Sequence, residues 1–227
     1  MSLQTTLEAP PSLTERAVAE LRRDILSARL APGETVSEGA VAQHLELGKA
    51  PVRAALARLA EEGLVTAVPR RGWMVSLVTI RDIHEVFDLR LMLEPEAARR
   101  AAGRVDHAML SRLDAVCAAG YDCGDEDSAM GFLDANKAFH VAIAELAGNA
   151  RLARQLDRLL DESTRMLVLG LRPRDRTGEM AHEHHALVEA LALGRAEDAA
   201  RIMHEQVSAS RRMVLAALTA PDARTAI

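Results

Sequence analysis

Apolar residues recur at helical spacing along most of this chain, and the exceptions fall in its first third. Val18, Leu21, Ile25 and Leu26 predict a helix that Ser12 or Thr14 caps and that runs to about Ala28. Ala31-Pro32-Gly33 then reads as a turn. Ser37 caps a short second helix with Ala40, Val41 and Leu45 on its inner side, and Glu46-Leu47-Gly48 breaks it. From about Lys49 a third helix places Val52, Leu56 and Leu59 at i, i+4 and i+7, and Gly63 closes it. The period then changes. Two short apolar runs, residues 64–68 and 73–77, flank Pro69-Arg70-Arg71-Gly72 and predict a β-hairpin with a basic tip. Three helices followed by such a hairpin describe a winged helix-turn-helix over residues 13–78.

Beyond that point the helical period is unbroken. Thr79 caps a helix over about 80–102, with Ile83, Val86, Phe87, Arg90, Leu91 and Glu94 broadly on one side. Pro95 is expected to interrupt and kink it. Asp106 caps a helix to about 119, and residues 120–127 form a polar loop with an acidic run. Further helices are expected over 130–147, 150–169, 179–193 and 196–219, divided by Gly148-Asn149, a charged loop at 170–178 and Gly194. Six helices with short connections predict an all-α antiparallel bundle over residues 79–227. The fold class is therefore mainly α, and residues 1–12 are expected to be disordered.

Composition supports this division. Apolar residues make up 49% of the 227, enough for a real core, while aromatics make up only 2%. Abundant Ala, Leu and Arg favour helix. No apolar run reaches the ~18 residues of a membrane span, and the N-terminus lacks a basic-then-apolar signal pattern. The expected location is the cytoplasm, where Cys117 and Cys123 would be reduced thiols. The net charge of −5 argues weakly against nucleic acid, but position matters more than the sum. Between Lys49 and Arg71 there are five basic residues and only Glu61 and Glu62 as acids.

That local excess points to double-stranded DNA. Lys49 and Arg53 lie one turn apart at the start of the third helix, the end that enters a major groove in a helix-turn-helix protein. Arg53 is the first candidate for reading a guanine, and Lys49 the second. Arg71 and Gly72 at the wing tip would enter a minor groove with Arg70 on a phosphate, and Arg22 of the first helix would touch the backbone. Arg58, late in its helix, reads as an ordinary solvated charge.

The run PGETVSEGAVAQHLELGKAPVRAALARLAEEGLVTAVPRRGWMV resembles the winged helix of the GntR family. The helical part resembles the FCD domain of the FadR-type branch. Three stretches carry that second match: Asp88-Leu89-Arg90-Leu91-Met92-Leu93-Glu94 with Ala97-Ala98, then Asn136-Lys137-Ala138-Phe139-His140 with Ala147-Gly148-Asn149, and Glu183-His184 through Glu189-Ala190-Leu191. The resemblance implies a transcription regulator that binds a short palindromic operator as a homodimer and responds to a small-molecule effector. Repression relieved by ligand is the expected sign. Where the family usually has Ser-Arg, this chain has Gly48-Lys49, so a hydroxyl and a guanidinium give way to nothing and an ammonium.

The resemblance also implies an effector site inside the bundle. Arg90 is placed there, with Glu94 at i+4 as a structural partner or a ligand carboxylate as an alternative grip. A small organic acid is the expected effector, and Arg165 and Arg172 are expected to be surface charges. The family's metal-binding members set an Asp or Asn and three histidines round the interior. Asn136, His140 and His184 match three of these positions. Gln206 occupies the fourth, and His204, two residues earlier, is the alternative fourth ligand. Two imidazoles and two amides should hold Zn²⁺ or Ni²⁺ less well than the full set. The same histidines could instead hydrogen-bond an organic ligand.

Two other functions compete. A helical bundle can house a metal-dependent enzyme, but a di-iron site needs paired Glu-x-x-His runs, which are missing here, as are a phosphate-binding glycine loop and a G-x-S-x-G elbow. A winged helix can also serve only to dock a protein, which a basic wing tip disfavours. The expectation is a regulator and not an enzyme.

Overall fold

The computed structural model describes residues 11–122, 125–171 and 177–219. Its contacts divide between Leu77 and Val78 into two compact units. Residues 1–10 of the expected disordered segment, Cys123 and Arg172 lie outside the described residues, as does the side chain of Cys117.

In the first unit, α1 (Leu13–Leu26) starts at a reciprocal cap. The Ser12 hydroxyl accepts from the Glu15 amide, and the Glu15 carboxylate accepts from the Ser12 amide. A short strand β1 (Thr35–Val36) precedes α2 (Glu38–His44), which Ser37 caps through the Ala40 amide. The buried stripe of α2 is Val41 and Ala42 with Leu45 beside them, and Ala40 faces out. Of the expected inner side, Val41 and Leu45 hold and Ala40 gives way to Ala42, because a helix of only seven residues carries too few apolar positions to fix the edge of its docking face. Glu46 takes a left-handed conformation (φ 53°) in the turn to α3 (Lys49–Glu61). The wing follows as β2 (Val65–Val68) and β3 (Gly72–Val75).

The sheet order is β1-β3-β2, antiparallel throughout, with Val36 opposite Trp73 and Val68 opposite Gly72. Strand β1, two residues long, is too short to carry an alternating pattern and so is not foreseen from local spacing. Ala17, Leu21 and Ile25 of α1 share one core with Val52, Leu56 and Leu59 of α3 and with Val65 and Val75 of the wing. Truncating Leu56, fully buried there, would cost about 2–5 kcal/mol. None of the candidate DNA-contacting cations belongs to that core.

The second unit is all helix: α4 (Ile80–Ala101), α5 (His107–Ala118), α6 (Glu126–Leu146), α7 (Ala150–Leu171), α8 (Thr177–Ala192) and α9 (Ala196–Thr219). Thr79 and Asp82 cap α4 reciprocally. The helix continues through Pro95 to Ala101, so Pro95 does not interrupt it as expected. Ile83, Val86, Phe87, Arg90, Glu94, Ala97 and Ala98 give it one continuous buried stripe, and that packing outweighs a single lost backbone hydrogen bond. Helix α4 packs against α9, α7 and α6, and touches α8. Its Arg90 and Glu94 therefore face the interior of the bundle. Helix α6 starts earlier than expected, because Asp125 accepts from the Asp127 amide and caps it there.

Candidate nucleic-acid interface and ligand chamber

In the first unit, Lys49 and Arg53 are exposed on the first two turns of α3, and Arg70 and Arg71 are exposed at the wing tip. Gly48 is the N-cap of α3 and supplies no side-chain hydrogen bond, so the Gly48-Lys49 pair leaves the helix start without a hydroxyl cap as well. The Arg53 guanidinium is not loose. Its Nε lies 3.0 and 2.9 Å from the two carboxylate oxygens of Glu38, and its Nη2 lies 2.8 Å from Oε2. Glu38 is held below the usual carboxylate range, chiefly by this hydrogen bonding to Arg53 and against a smaller effect of burial, with Trp73 nearby.

At the tip, Arg70 sits at φ 65° and Gly72 at φ 102°. A Cβ on Gly72 would stand 2.6 Å from the Val36 carbonyl oxygen, so glycine is what lets the wing seat on β1. Gly72 therefore has a backbone role whatever its distance from DNA. Arg22 bridges to Glu62 at the end of α3, and Arg58 approaches the same carboxylate at 3.7 Å. Both arginines thus act as struts around α3, which for Arg22 is a role within the protein that the sequence did not show.

In the second unit, the expected residues come together. Arg90 from α4, Asn136 and His140 from α6, Glu183 and His184 from α8, and Gln206, Val207 and Ser210 from α9 line one small chamber. Arg90 and Glu94 are 2% exposed, and Arg90 Nε donates to Glu94 Oε1 at 2.6 Å while its Nη1 donates to the Ser163 hydroxyl at 3.1 Å. The structural pairing expected for Arg90 is therefore present. Burial would raise the Glu94 carboxyl, but the charges of Arg90 and His140 prevail and hold it at about 2. Its second oxygen lies 2.6 Å from His140 Nδ1.

His184 stacks on Phe139 with ring centroids 4.3 Å apart. Burial first, and the charge of His140 second, push it down to about 3, so it is neutral near pH 7. Asp114 of α5 approaches His184 Nδ1 at 3.7 Å, and burial raises its own carboxyl. Each histidine thus has a carboxylate beside its Nδ1, at 2.6 Å for His140 and at 3.7 Å, beyond hydrogen-bond reach, for His184.

Several buried polar atoms here have no hydrogen-bond partner, among them Asn136 Oδ1, His184 Nδ1 and both amide atoms of Gln206. Each such atom costs about 1–3 kcal/mol unless a ligand satisfies it. The chamber is small and can hold at least a water.

Helical register decides the fourth position. Met203, Gln206 and Val207 are buried while His204 is exposed, so His204 cannot be the fourth ligand and Gln206 faces inward. With two imidazoles and two carboxamides the donor set does not fit a tightly held divalent metal. Among the described residues no group of three His, Cys, Asp or Glu is disposed to hold one.

Arg165 is corrected too. It is 8% exposed, not a surface charge, because it falls on the buried face of α7. Asp114, Glu183, Ser163 and Ser210 were missed from sequence. Ser210 left a signal, four residues after Gln206 and so on the same helical face, and Glu183 left one in the Glu183-His184 pair of the family pattern.

Comparison with known proteins agrees with both units. The model of the bacterial regulatory proteins of the gntR family matches residues 13–75, and the FCD domain model matches residues 85–209. The HTH-type transcriptional repressor RspR of Escherichia coli K12 is 31% identical over 114 residues, 50% of each chain. The chain thus spans about half the length of that relative. The HTH-type transcriptional repressor GlaR of the same organism is 29% identical over 188 residues, 77% of this chain and 83% of GlaR. Among solved structures, E. coli McbR/YncC superposes with a TM-score of 0.79 at 21% identity over 91% of this chain and 98% of its own. A transcriptional regulator GntR from Rhodococcus sp. RHA1 gives 0.75 at 23%, over 90% and 98%. At such identities these two show the shared fold.

Proposed function

We propose, from the premise that this chain belongs to the GntR family of bacterial regulatory proteins and carries its FCD domain, that it is a repressor binding a palindromic operator as a homodimer and releasing it when a small organic acid enters the helical unit. The family regulates transcription and is not one of enzymes. What carries the reading is the disposition of charge in the first unit. Lys49, Arg53, Arg70 and Arg71 are all exposed, and the core beneath them uses none of them. A helix start and a hairpin tip so charged suit the phosphates and base edges of a duplex.

The effector side is supported by the unsatisfied polar atoms of the chamber. Asn136, His140, His184 and Gln206 supply donors and acceptors, and Arg90 supplies a cation at the wall. An organic acid seated there would bridge α4, α6, α8 and α9 and so favour one arrangement of these helices over another, the unequal affinity that any effector needs in order to act. The connection from β3 to α4, residues 76–79, is where such a change passes to the DNA-binding unit. A resident metal is not part of this reading, because amides hold two of the four positions.

The test is a gel shift with the full chain on the inverted repeat beside its gene. Arg53→Ala is expected to abolish operator binding while leaving the melting temperature within a degree or two. Wild-type affinity should fall steeply as salt rises. An Arg53→Ala protein that binds the operator as well as the wild type removes the assignment.

A further inference from the structure

The Glu38–Arg53 contact poses a problem. A carboxylate beside the start of a recognition helix repels phosphates and costs affinity for every duplex. Yet here it is built in. Glu38 stands in the first turn of α2, directly after the Ser37 cap, and its side chain is only 23% exposed against 69% for Arg53. It is the anchored partner, and Arg53 is the one held.

The geometry of the hold matters. A guanidinium carries five N–H groups on a planar fork. Glu38 takes the side edge, Nε and one hydrogen of Nη2. The end edge, formed by Nη1 and the other hydrogen of Nη2, has no partner among the described residues. That edge is a two-donor fork of the kind that fits O6 and N7 of guanine. Trp73 of β3 lies near the same carboxylate. Because Val36 pairs with Trp73 and Gly72 lies against the Val36 carbonyl, β3 is fixed beside the start of α2. One carboxylate therefore joins α2 to the recognition helix α3, with the wing close by.

We infer that Glu38 is a specificity-determining positioning residue: it clamps the side edge of Arg53 so that the end edge is presented to one guanine in each half-site, and it gives up affinity for DNA in general to do so. The inference rests on the DNA-binding reading above. Without the clamp, Arg53 becomes a flexible cation that settles on phosphates of any sequence. With it, the arginine is already oriented when the groove arrives, and less conformational freedom is lost on binding.

The experiment uses the full-length chain and a library of random duplex DNA. The wild type is expected to enrich a motif with an invariant guanine in each half. Affinities are then measured on that duplex and on a scrambled one of equal length. Glu38→Ala and Glu38→Gln are expected to bind the scrambled duplex as tightly as the wild type or more tightly. Their ratio of specific to scrambled affinity should fall about tenfold, the discrimination of one bidentate pair. The loss should concentrate at the guanine that Arg53→Ala also loses, and combining Glu38→Gln with Arg53→Ala should lose no more than Arg53→Ala alone. Glu38→Gln keeps the side-chain shape, so the fold is retained where Ala fails. An unchanged ratio, an equal loss on both duplexes or an additive double variant overturns the inference. A wild type that enriches no motif instead overturns the DNA-binding reading, so the two failures are distinct.

Discussion

At the scale of residues, two buried titratable groups decide how the helical unit responds to acid. His184 has a folded value of about 3 against an ordinary 6.5. Between those values the unfolded chain binds a proton that the folded chain refuses, so stability is lost as pH falls through 6.5 towards 3. Glu94, at about 2 against 4.5, adds a second loss as pH falls from 4.5 towards 2. By pH 5 the His184 contribution is on the order of 2 kcal/mol, a fall of about 4–8 °C in melting temperature for a chain of this length. His184→Gln has no such proton to refuse. Its melting temperature should decline less between pH 7 and pH 5 in a thermal scan of the full chain, and identical slopes would show that His184 does not carry the effect.

Elements turn these residues into sites. In α9 the 3.6-residue period buries Met203, Gln206 and Val207 and exposes His204. One inward position separates the chamber from a three-histidine set. Gln206→His is expected to let Zn²⁺ or Ni²⁺ raise the melting temperature of protein purified without a tag, while the wild type shows a much smaller shift. His204→Ala should leave both responses unaltered. A wild type that holds stoichiometric metal would contradict the weak donor set described above. Wing and recognition helix are likewise set by their elements, with Gly72 letting β3 seat on β1 and Glu38 of α2 reaching Arg53 of α3.

For the whole molecule, the claim is a coupling between two binding events, and coupling is reciprocal. If an organic acid lowers operator affinity by a factor of about 10–100, saturating operator must lower affinity for that acid by the same factor. Calorimetric titration of the acid, with and without operator duplex, measures this directly. An acid that binds equally well in both titrations is not the effector, however tightly it binds. No helix among the described residues is long and apolar enough to cross a membrane.

Sequence alone determined what depends on near neighbours. Helix periods, the caps at Ser12, Ser37 and Thr79, the stop at Gly63 and the hairpin around Arg70-Arg71 are set within a few residues, and so they were legible. The family pattern extended this to which helices would bring Asn136, His140 and His184 to the interior. Tertiary structure decided the partners. Arg53 meets Glu38 fifteen residues away, Arg90 meets Ser163 across 73 residues, and His184 meets Asp114 from another helix. Nothing in local spacing encodes such pairs, because they form only when packing brings separate helices within reach and low water access makes each unpaired polar atom costly.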